Sequence, residues 1–286
     1  MTNLLSIESM PLENIQRVLD VARQTGFEKL PGRVVVNLFY EASTRTRLSF
    51  ELAARRLGAD VITFDPETSS EKKGESMKDT ALTLQALGAD VLVIRHSESG
   101  VPKFMSDFVN CSVVNAGDGT HEHPTQALLD LYTIRQRFGQ IAGLRVGIVG
   151  DVKHSRVAHS LYLALAKMGA ETVLIGPRRF LTSRPGPYVS YSLDTELASL
   201  DVCYVLRTQK ERHQHAFDPG GVAYKLTTRR ATMLPDHAIV MHPGPMNRGE
   251  EIDSEVADSP RSAILDQVTN GVAVRAAVLQ EMMRGR

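Results

Sequence analysis

Residues 33–58 read "RVVVNLFYEASTRTRLSFELAARRLG" and change character twice. The run 33–39 is apolar and rich in β-branched residues, as in a buried strand, whereas 44–57 has the pattern of a helix ending at Gly58. Five hydroxyl and guanidinium side chains lie at the junction, at Ser43, Thr44, Arg45, Thr46 and Arg47. A strand, a polar junction and a helix in this order are typical of the repeating unit of an α/β protein.

The same unit recurs along the chain. Further strand-like runs lie at 60–65, 90–95, 112–116, 144–151, 171–177, 201–207 and 237–243. These runs are rich in Val, Ile and Leu and hardly alternate with polar residues, which indicates parallel strands that are buried on both faces. Helical segments such as 76–87 separate them. The sequence therefore predicts an α/β fold with two doubly wound parallel-sheet domains.

A long helix is predicted to join the two domains. Pro124 suits the first turn of this helix, and Gly139 ends it. We expect the domains to cover 1–135 and 136–263, with a C-terminal helix at about 264–286 that packs back on the first domain. The segment 178–193 has no clear pattern.

The composition excludes several classes of protein. The chain has 286 residues, with 33 Lys and Arg balanced by 33 Asp and Glu, so its formal net charge is zero. Neutrality argues against a protein that coats nucleic acid or a membrane surface. Cys111 and Cys203 lie in apolar runs and are expected to be buried thiols. Because no signal-peptide or membrane-span pattern is found, we expect a cytoplasmic protein.

Polar and basic residues collect where the predicted strands end. In the first half these are "YEASTRTR", "RHSESG" and "GDGTHEHPTQ", and in the second half "VKHSRVAHS", "RTQKER" and "GPMNRGEE". Ligands of open α/β sheets bind beyond the carboxyl ends of the strands. The sequence therefore predicts a ligand site at one edge of each sheet.

The segment "STRTR" (43–47) has two interpretations. A helix N-terminus offers free N–H groups and the positive end of the dipole, and Arg45 adds a fork that grips phosphate oxygens. Ser43 or Thr44 could equally cap the helix, with solvated arginines beside it. Local sequence leaves both open, although a P-loop is excluded because G-x-x-x-x-G-K-[ST] does not occur.

Two further segments offer a structural and a functional interpretation. Lys72 and Lys73, in "SSEKKGES" (69–76), form either a solvated loop or a mobile loop that closes on an anionic substrate. His121 and His123 lack a third ligand at a recognised spacing, so no metal site is predicted. His123 suits hydrogen bonding to a carbonyl oxygen, with Gln126 one turn along, or simple helix capping.

The start of the second half resembles a nucleotide-binding unit in part. The segment "VGIVGDVKHSRVAHS" (146–160) lacks the glycines of G-x-G-x-x-G, which weakens a dinucleotide-dependent oxidoreductase as a hypothesis. Arg156, in this segment, and Arg207, in "RTQKER", would provide two guanidinium forks that suit a dicarboxylate. Each arginine by itself is more often a surface residue.

Together these motifs resemble the aspartate/ornithine carbamoyltransferase family over nearly the whole chain. The collinear segments are "FYEASTRTRLSFE", "KKGES", "RH", "NAGDGTHEHPTQALLDLYT", "GDVKHSRVAHS", "RTQKER" and "HPGPMNRGEEI". Within the family, "RTQKER", "HPGPMNRG" and Lys73 are typical of aspartate enzymes. The H-C-L-P motif of ornithine enzymes does not occur.

The resemblance implies transfer of the carbamoyl group of carbamoyl phosphate to the amine of L-aspartate, an early step of pyrimidine synthesis, without a metal or organic cofactor. It implies a homotrimer with active sites at subunit interfaces, and it leaves open association with a dihydroorotase or a regulatory chain. The implied catalytic residues are Arg45, Thr46, Lys73, Arg95 and His123. Implied carbamoyl-phosphate contacts are Ser43, Thr44, Arg45, Thr46, Arg95, His123 and Gln126, the turn Gly244–Pro245, and Ser69 and Lys73 from a neighbouring subunit. Implied aspartate contacts are Lys73, Arg156, Arg207 and Gln209.

Three alternatives remain at this stage. One is a transcarbamylase for ornithine or a related amine, although a cationic acceptor would require carboxylates where Arg156 and Arg207 stand. Another is a degenerate subunit, and the last is the oxidoreductase. The segment 178–200 is short relative to the family, and the loop 213–221 aligns poorly with it. The effect of these two segments on the affinity for aspartate is therefore not predicted. Arg47 has no assigned role.

Overall fold

The structure is a computed structural model that describes residues 1–24, 26–64, 74–181, 187–207 and 221–284. The chain divides into two compact units. The first unit consists of Met1–Tyr132 and Val268–Arg286, and the second of Thr133–Gln267. Each unit contains one parallel sheet with its own helices.

The first unit begins with α1 (Leu12–Ala22), β1 (Val34–Phe39), α2 (Thr44–Arg56), β2 (Asp60–Phe64) and α3 (Met77–Ala86). It continues with β3 (Val91–His96), α4 (Val101–Ser106), β4 (Ser112–Asp118) and the start of α5 (Pro124–Phe138). Its sheet has the order β2-β1-β3-β4, and all neighbours pair in parallel. One face of this sheet is covered by apolar side chains from α3 and α4, including Ala81, Leu84 and Met105.

The second unit contains β5 (Arg145–Val149), α6 (Arg156–Lys167), β6 (Glu171–Ile175), β7 (Tyr188–Ser190), α7 (Leu193–Glu196) and β8 (Val202–Val205). After these come α8 (Gly221–Tyr224), α9 (Thr228–Ala231), β9 (Ile239–Met241), α10 (Ser254–Ala257) and the start of α11 (Ile264–Met283), whose remainder belongs to the first unit. Short 3₁₀ turns occur at Arg178–Phe180 and Leu197–Ser199. The sheet has the order β7-β6-β5-β8-β9 and is also parallel throughout.

The predicted α/β fold with two parallel sheets is confirmed. All eight runs predicted as strands form strands, and β3, β4 and β8 are almost entirely buried, as expected. The expectation of burial on both faces is wrong for β2, which lies at the edge of its sheet and has no buried residue. The strand predicted at 144–151 ends earlier, at Val149, because Gly150 turns the chain with a φ of 122°. The sequence did not predict β7, which is only three residues long and lies in the patternless segment 178–193.

Two helices carry the chain from one unit to the other. The boundary falls inside α5, between Tyr132 and Thr133, and again inside α11, between Gln267 and Val268. The long connecting helix expected from Pro124 and Gly139 is therefore α5. A second continuous helix, α11, returns the C-terminal segment to the first unit.

Both cysteines are buried free thiols, as predicted. Burial raises the pKa of the Cys203 thiol to about 12, so Cys203 is not a nucleophile at neutral pH. Among the described residues, no helix combines the length and apolar character that crossing a membrane requires.

Gly176, just after β6, has no room for a side chain. An added Cβ would lie 2.6 Å from the carbonyl oxygen of Gly150, a backbone atom that cannot rotate away. We therefore expect Gly176→Ala to lower the free energy of unfolding by roughly 1–3 kcal/mol, as overpacked sites do. Urea denaturation followed by circular dichroism measures this change.

The matched control is Gly26→Ala, because nothing lies within 4 Å of a Cβ added at Gly26. Equal stability of the Gly176→Ala and Gly26→Ala proteins would contradict the steric argument.

Candidate active site

Three strands of the first sheet end side by side. Phe39, at the end of β1, lies opposite Arg95 of β3, and His96 lies opposite Asp118 at the end of β4. Helix α2 begins at Thr44 shortly after β1, and α5 begins at Pro124 shortly after β4. Parallel pairing therefore places "STRTR", Arg95 and the segment that carries His123 at the same edge of the sheet, as predicted.

Ser43 stands at the N-cap position of α2 but does not cap it. Its backbone is extended, with φ −159° and ψ 101°, and its hydroxyl accepts no capping hydrogen bond. At the start of α3, by contrast, the Ser76 hydroxyl accepts a hydrogen bond from the Asp79 N–H. The side-chain cap that the sequence allowed at 43 is therefore not formed, which leaves the hydroxyl and the start of the helix available to an anion.

The arginine and threonine of this helix turn differ in exposure. Thr46 is buried, whereas Arg45 is exposed on the described chain, although partial burial of its guanidinium lowers the pKa of Arg45. Arginine remains cationic at neutral pH despite such a shift. Arg45 therefore contributes a positive charge next to the helix N-terminus. Arg47 is exposed on the same helix.

Arg95 is held in a defined position by two acceptors. Its Nη2 donates to Glu41 Oε1 at 3.2 Å, and its Nη1 donates to the Ala116 carbonyl oxygen at 3.3 Å. Its side chain is only 11% exposed, so the charge is presented from a largely buried position. Sequence reasoning missed Glu41, although this residue lies inside "YEASTRTR". Its partner is 54 residues away, and only the pairing of β1 with β3 brings them together.

The turn that leads to His123 is organised by Asp118. This buried carboxylate accepts hydrogen bonds from the Gly100 N–H at 2.6 Å, from Asn115 Nδ2 at 2.8 Å and from the Glu122 N–H at 3.2 Å. His121 Nδ1 lies 3.0 Å from the same carboxylate. These bonds tie the segment after β3 to the segment after β4.

Asp118 and His121 shift each other's pKa. Burial by itself would raise the pKa of Asp118, but the hydrogen bonds from His121, Gly100 and Asn115 outweigh burial and lower it. The hydrogen bond to Asp118 raises the pKa of His121 above its usual 6.5. The pair is therefore a stabilising ion pair when His121 is protonated.

Glu122 fastens the N-terminal segment of the chain beside the site. Its buried carboxylate accepts hydrogen bonds from the Ile7 N–H at 2.7 Å and from the Glu8 N–H at 3.2 Å. His123 follows directly and is 4% exposed. Its carbonyl oxygen accepts a hydrogen bond from the Gln126 N–H, which begins α5. His123 and Gln126 thus both lie at the start of α5, at the edge of the sheet where β4 ends.

In the second unit, three neighbouring strands again end at one edge. The loop after β5 leads to Arg156, the first residue of α6, and Arg207 follows β8. Val149 lies opposite Val205, so both arginine-bearing segments leave adjacent strands. Arg156 is 5% exposed, and the Ser155 hydroxyl before it caps α6 by accepting from the Ala158 N–H. The predicted pair of guanidinium groups thus comes from one edge of the second sheet.

The turn Gly244–Pro245 follows β9, the neighbour of β8, and contains a cis peptide bond. His242 Nδ1 accepts a hydrogen bond from the Gly244 N–H at 2.9 Å, so its Nε2 carries the proton and donates to Glu251 Oε1 at 3.2 Å. Glu251 also accepts from the Asn247 N–H at 2.6 Å. His242 and Glu251 are buried and were not singled out by sequence reasoning. They shape the backbone of this turn.

Several predicted positions lie outside the described residues. These are Ser69, Lys73 and Gln209, together with 182–186 and the loop 213–220. In the part of the chain that is described, no group of three or more His, Cys, Asp or Glu side chains is arranged to hold a metal ion.

Comparison with known protein families covers both units. Residues 2–136 match the family model of the aspartate/ornithine carbamoyltransferase carbamoyl-P binding domain, and residues 142–282 match that of the Asp/Orn binding domain. The chain belongs to the aspartate/ornithine carbamoyltransferase family. This confirms the resemblance read from its motifs.

Relatives in this family match along their full length. The aspartate carbamoyltransferase catalytic subunit of Salinispora arenicola is 53% identical over 302 residues, which covers 99% of this chain and 98% of the relative. The corresponding subunit of Thermobifida fusca is 52% identical and covers 100% and 96%. Both alignments are longer than the 286-residue chain, so the relatives contain residues that it lacks.

Solved structures of the family share the fold. Aspartate transcarbamoylase from Trypanosoma cruzi in complex with carbamoyl phosphate has a TM-score of 0.90 at 30% identity and covers 98% of this chain and 95% of that one. The same enzyme with N-(phosphonacetyl)-L-aspartic acid has a TM-score of 0.89, at 30% identity and the same coverage of both chains. The catalytic subunit of M. jannaschii aspartate transcarbamoylase has a TM-score of 0.88 at 36% identity and covers 100% and 99%.

Because Ser43 does not cap α2, its replacement should affect ligand binding but not the stability of the protein. Ser43→Ala removes no capping hydrogen bond, so we expect it to change the free energy of unfolding by less than about 0.5 kcal/mol, whereas Ser76→Ala removes a cap and costs about 1 kcal/mol. Ser43→Ala should nevertheless weaken the binding of inorganic phosphate, and Ser76→Ala is the stability control. Urea denaturation and titration calorimetry measure the two effects. A Ser43→Ala protein that loses stability but binds phosphate normally would show that Ser43 is only a cap.

The His121–Asp118 pair makes stability depend on pH. Since the folded-state pKa of His121 is raised, its contribution is complete below its usual 6.5 and is lost as pH rises through the raised value. Asp118 acts in the opposite sense, because its lowered pKa gives stability that is lost only in acid. We expect the free energy of unfolding to fall more in the wild type than in His121→Gln between about pH 6 and about pH 8.5. Urea denaturation at both pH values tests this, and parallel losses in the two proteins would contradict it.

Proposed function

We propose that this chain is an aspartate carbamoyltransferase catalytic chain. It transfers the carbamoyl group of carbamoyl phosphate to the amine of L-aspartate and releases N-carbamoyl-L-aspartate and phosphate, in pyrimidine synthesis. The observation that carries the proposal is the edge of the first sheet, where the uncapped helix start with Arg45 follows β1 and the fixed Arg95 ends the neighbouring β3, in a chain of this family. The relatives named above support aspartate as the acceptor.

The phosphate end of the substrate fits the start of α2. Ser43, Thr44 and Thr46 provide hydroxyl donors, the first turn provides N–H groups and Arg45 provides a guanidinium fork. We assign Ser69 and Lys73 of a neighbouring subunit to the same anion, so the active enzyme is an oligomer, and we propose that it is a homotrimer. The family resemblance supports this assembly and a cytoplasmic location.

The chemical step is an attack of the unprotonated aspartate amine on the carbamoyl carbon. A C–N bond forms, and negative charge develops on the carbamoyl oxygen of the tetrahedral intermediate. The bond from carbon to the phosphate oxygen then breaks, and the departing phosphate takes the amine proton. Thr46, Arg95 and His123 are assigned to stabilise the oxyanion, an effect worth on the order of 10²–10³ in rate for each donor.

The observed supports of these groups fit such a role. Arg95 is held by Glu41 and by the Ala116 carbonyl oxygen, and the backbone of His123 is fixed at the start of α5. Donors that are already oriented need no reorganisation when the charge develops. No general base is required, because the leaving phosphate accepts the proton, and the chemistry calls for neither a metal nor an organic cofactor.

The acceptor is assigned to the second unit. Arg156 follows β5 and Arg207 follows the neighbouring strand β8. Their two guanidinium groups suit the two carboxylates of aspartate, and we assign Gln209 and Lys73 as further contacts. The turn Gly244–Pro245 is assigned to the carbamoyl nitrogen, and Gln126 to the carbamoyl group. Ornithine, whose side chain is cationic, would face two guanidinium groups, which disfavours it.

Carbamoyl transfer to aspartate and to ornithine, measured side by side with the purified chain, tests the proposal. We expect turnover with aspartate only, and inhibition by N-(phosphonacetyl)-L-aspartate that competes with carbamoyl phosphate. Arg45→Ala should weaken carbamoyl phosphate binding on the order of 100-fold, because it removes a charged partner of the anion. Arg47→Ala, which removes an exposed arginine of the same helix, is the matched control.

Three outcomes would contradict the assignment. A preference for ornithine would make the chain a different transcarbamylase. A trimer without turnover would favour a degenerate subunit. Equal effects of Arg45→Ala and Arg47→Ala would place the phosphate elsewhere.

A further inference from the structure

Gln126 has a neighbour on α5 that determines how its amide is oriented. Gln126 and Asp130 are four residues apart and therefore share one face of the helix. Gln126 Nε2 donates to Asp130 Oδ1 at 3.0 Å, and both side chains are buried. Within the described part of the chain, the Gln126 side chain makes no other hydrogen bond.

The chemistry of the pair allows one orientation of the amide. An ionised carboxylate only accepts hydrogen bonds, whereas a glutamine amide has a donating and an accepting end. The nitrogen of Gln126 must therefore face Asp130. Its oxygen, Oε1, is left as an acceptor on the other side of the amide.

A buried arginine interacts electrostatically with Asp130. Arg275, on α11, is 3% exposed, and its guanidinium lies 5.3 Å from the centre of the Phe50 ring. Its Nη1 donates to the Gly271 carbonyl oxygen at 3.3 Å, while its buried Nε has no hydrogen-bond partner among the described residues. Burial lowers the pKa of Arg275 to about 10, and the charge of Asp130 opposes this shift. The two charges therefore attract each other within the first unit.

The carbamoyl group, like an amide, has two ends of similar size that differ in hydrogen bonding. Its carbonyl oxygen accepts hydrogen bonds and its NH₂ group donates them, so a correctly oriented acceptor distinguishes the two ends. Resting on the function proposed above, we propose that Asp130 is a specificity-determining positioning residue. By holding the amide nitrogen of Gln126, it directs the amide oxygen to the carbamoyl NH₂ group.

This arrangement selects a carbamoyl group over an acyl group of the same shape. A methyl group in place of NH₂ cannot donate, so it would leave Gln126 Oε1 unpaired in a buried site. The phosphate end of the ligand does not depend on this contact. Asp130 should therefore affect the choice between carbamoyl and acetyl ligands without affecting phosphate itself.

Two stable phosphonates that differ only in this group are suitable probes. Phosphonoacetamide carries NH₂, and acetonylphosphonate carries CH₃ in its place. By titration calorimetry we expect the wild type to prefer phosphonoacetamide by about 10-fold or more. In Asp130→Asn the neighbour can donate as well as accept, so the Gln126 amide can reverse, and the preference should fall to about 2-fold or less.

A rescue variant separates orientation from a merely structural role. Gln126→Glu combined with Asp130→Asn reverses the donor and acceptor within the pair, keeps the net charge and again presents an oxygen to the ligand. The preference for phosphonoacetamide should return. Inorganic phosphate should bind to wild type, single and double variants within about twofold, because its site is separate from the pair.

Several results would overturn the inference. If Asp130→Asn weakens both phosphonates and phosphate equally, or if the double variant does not recover the preference, Asp130 is only structural. Should Asp130→Asn fail to fold, the double variant still tests the orientation of the pair. Gln126→Met, which leaves Asp130 intact, tests the contact itself, because a retained preference would show that Gln126 does not contact the NH₂ group and would overturn the inference.

The wild type separates failure of this inference from failure of the proposed function. A wild type that catalyses transfer but binds both phosphonates equally would disprove only the role of Asp130. A wild type that binds neither phosphonate and transfers no carbamoyl group would disprove the proposed function.

Discussion

Parallel pairing is the constraint on which the rest of this structure depends. When every strand of a sheet runs in the same direction, each turn from a strand to a helix emerges at the same edge, together with the N-terminus of the helix that follows. In the first unit this brings the segments after β1, β3 and β4 side by side. In the second unit it does the same for the segments after β5, β8 and β9.

In the first unit, carboxylates position the groups at the edge of the sheet. Arg95 is held by Glu41, the turn before His123 by Asp118, and the amide of Gln126 by Asp130, which lies in the field of Arg275. Buried charges are costly unless they are paired, so each pair restricts the side chains to one arrangement. The hydrogen bonds that satisfy these buried side chains thus also orient the groups that a substrate would contact.

At the start of α2, a side-chain cap that would stabilise the helix competes with an anion for the same N–H donors. A serine at this position commonly caps its helix, as Ser76 and Ser155 do elsewhere in the chain. Ser43 does not, so its helix start retains the donors that an anion needs. Bound phosphate would satisfy those donors, which makes the ligand a substitute for the missing cap.

The sequence by itself determined the two parallel sheets, every strand but β7 and the polar segments at their ends, because buried strands need branched apolar runs that local pattern reveals. It also indicated the family through motifs that are contiguous, such as "EASTRTR" and "HEHPTQ". Only the tertiary structure decided that Ser43 leaves its helix uncapped, that Glu41 supports Arg95, and that Asp130 orients Gln126 beside the charge of Arg275. These contacts depend on strand register, rotamers and packing between residues far apart in the chain, which short-range periodicity does not encode.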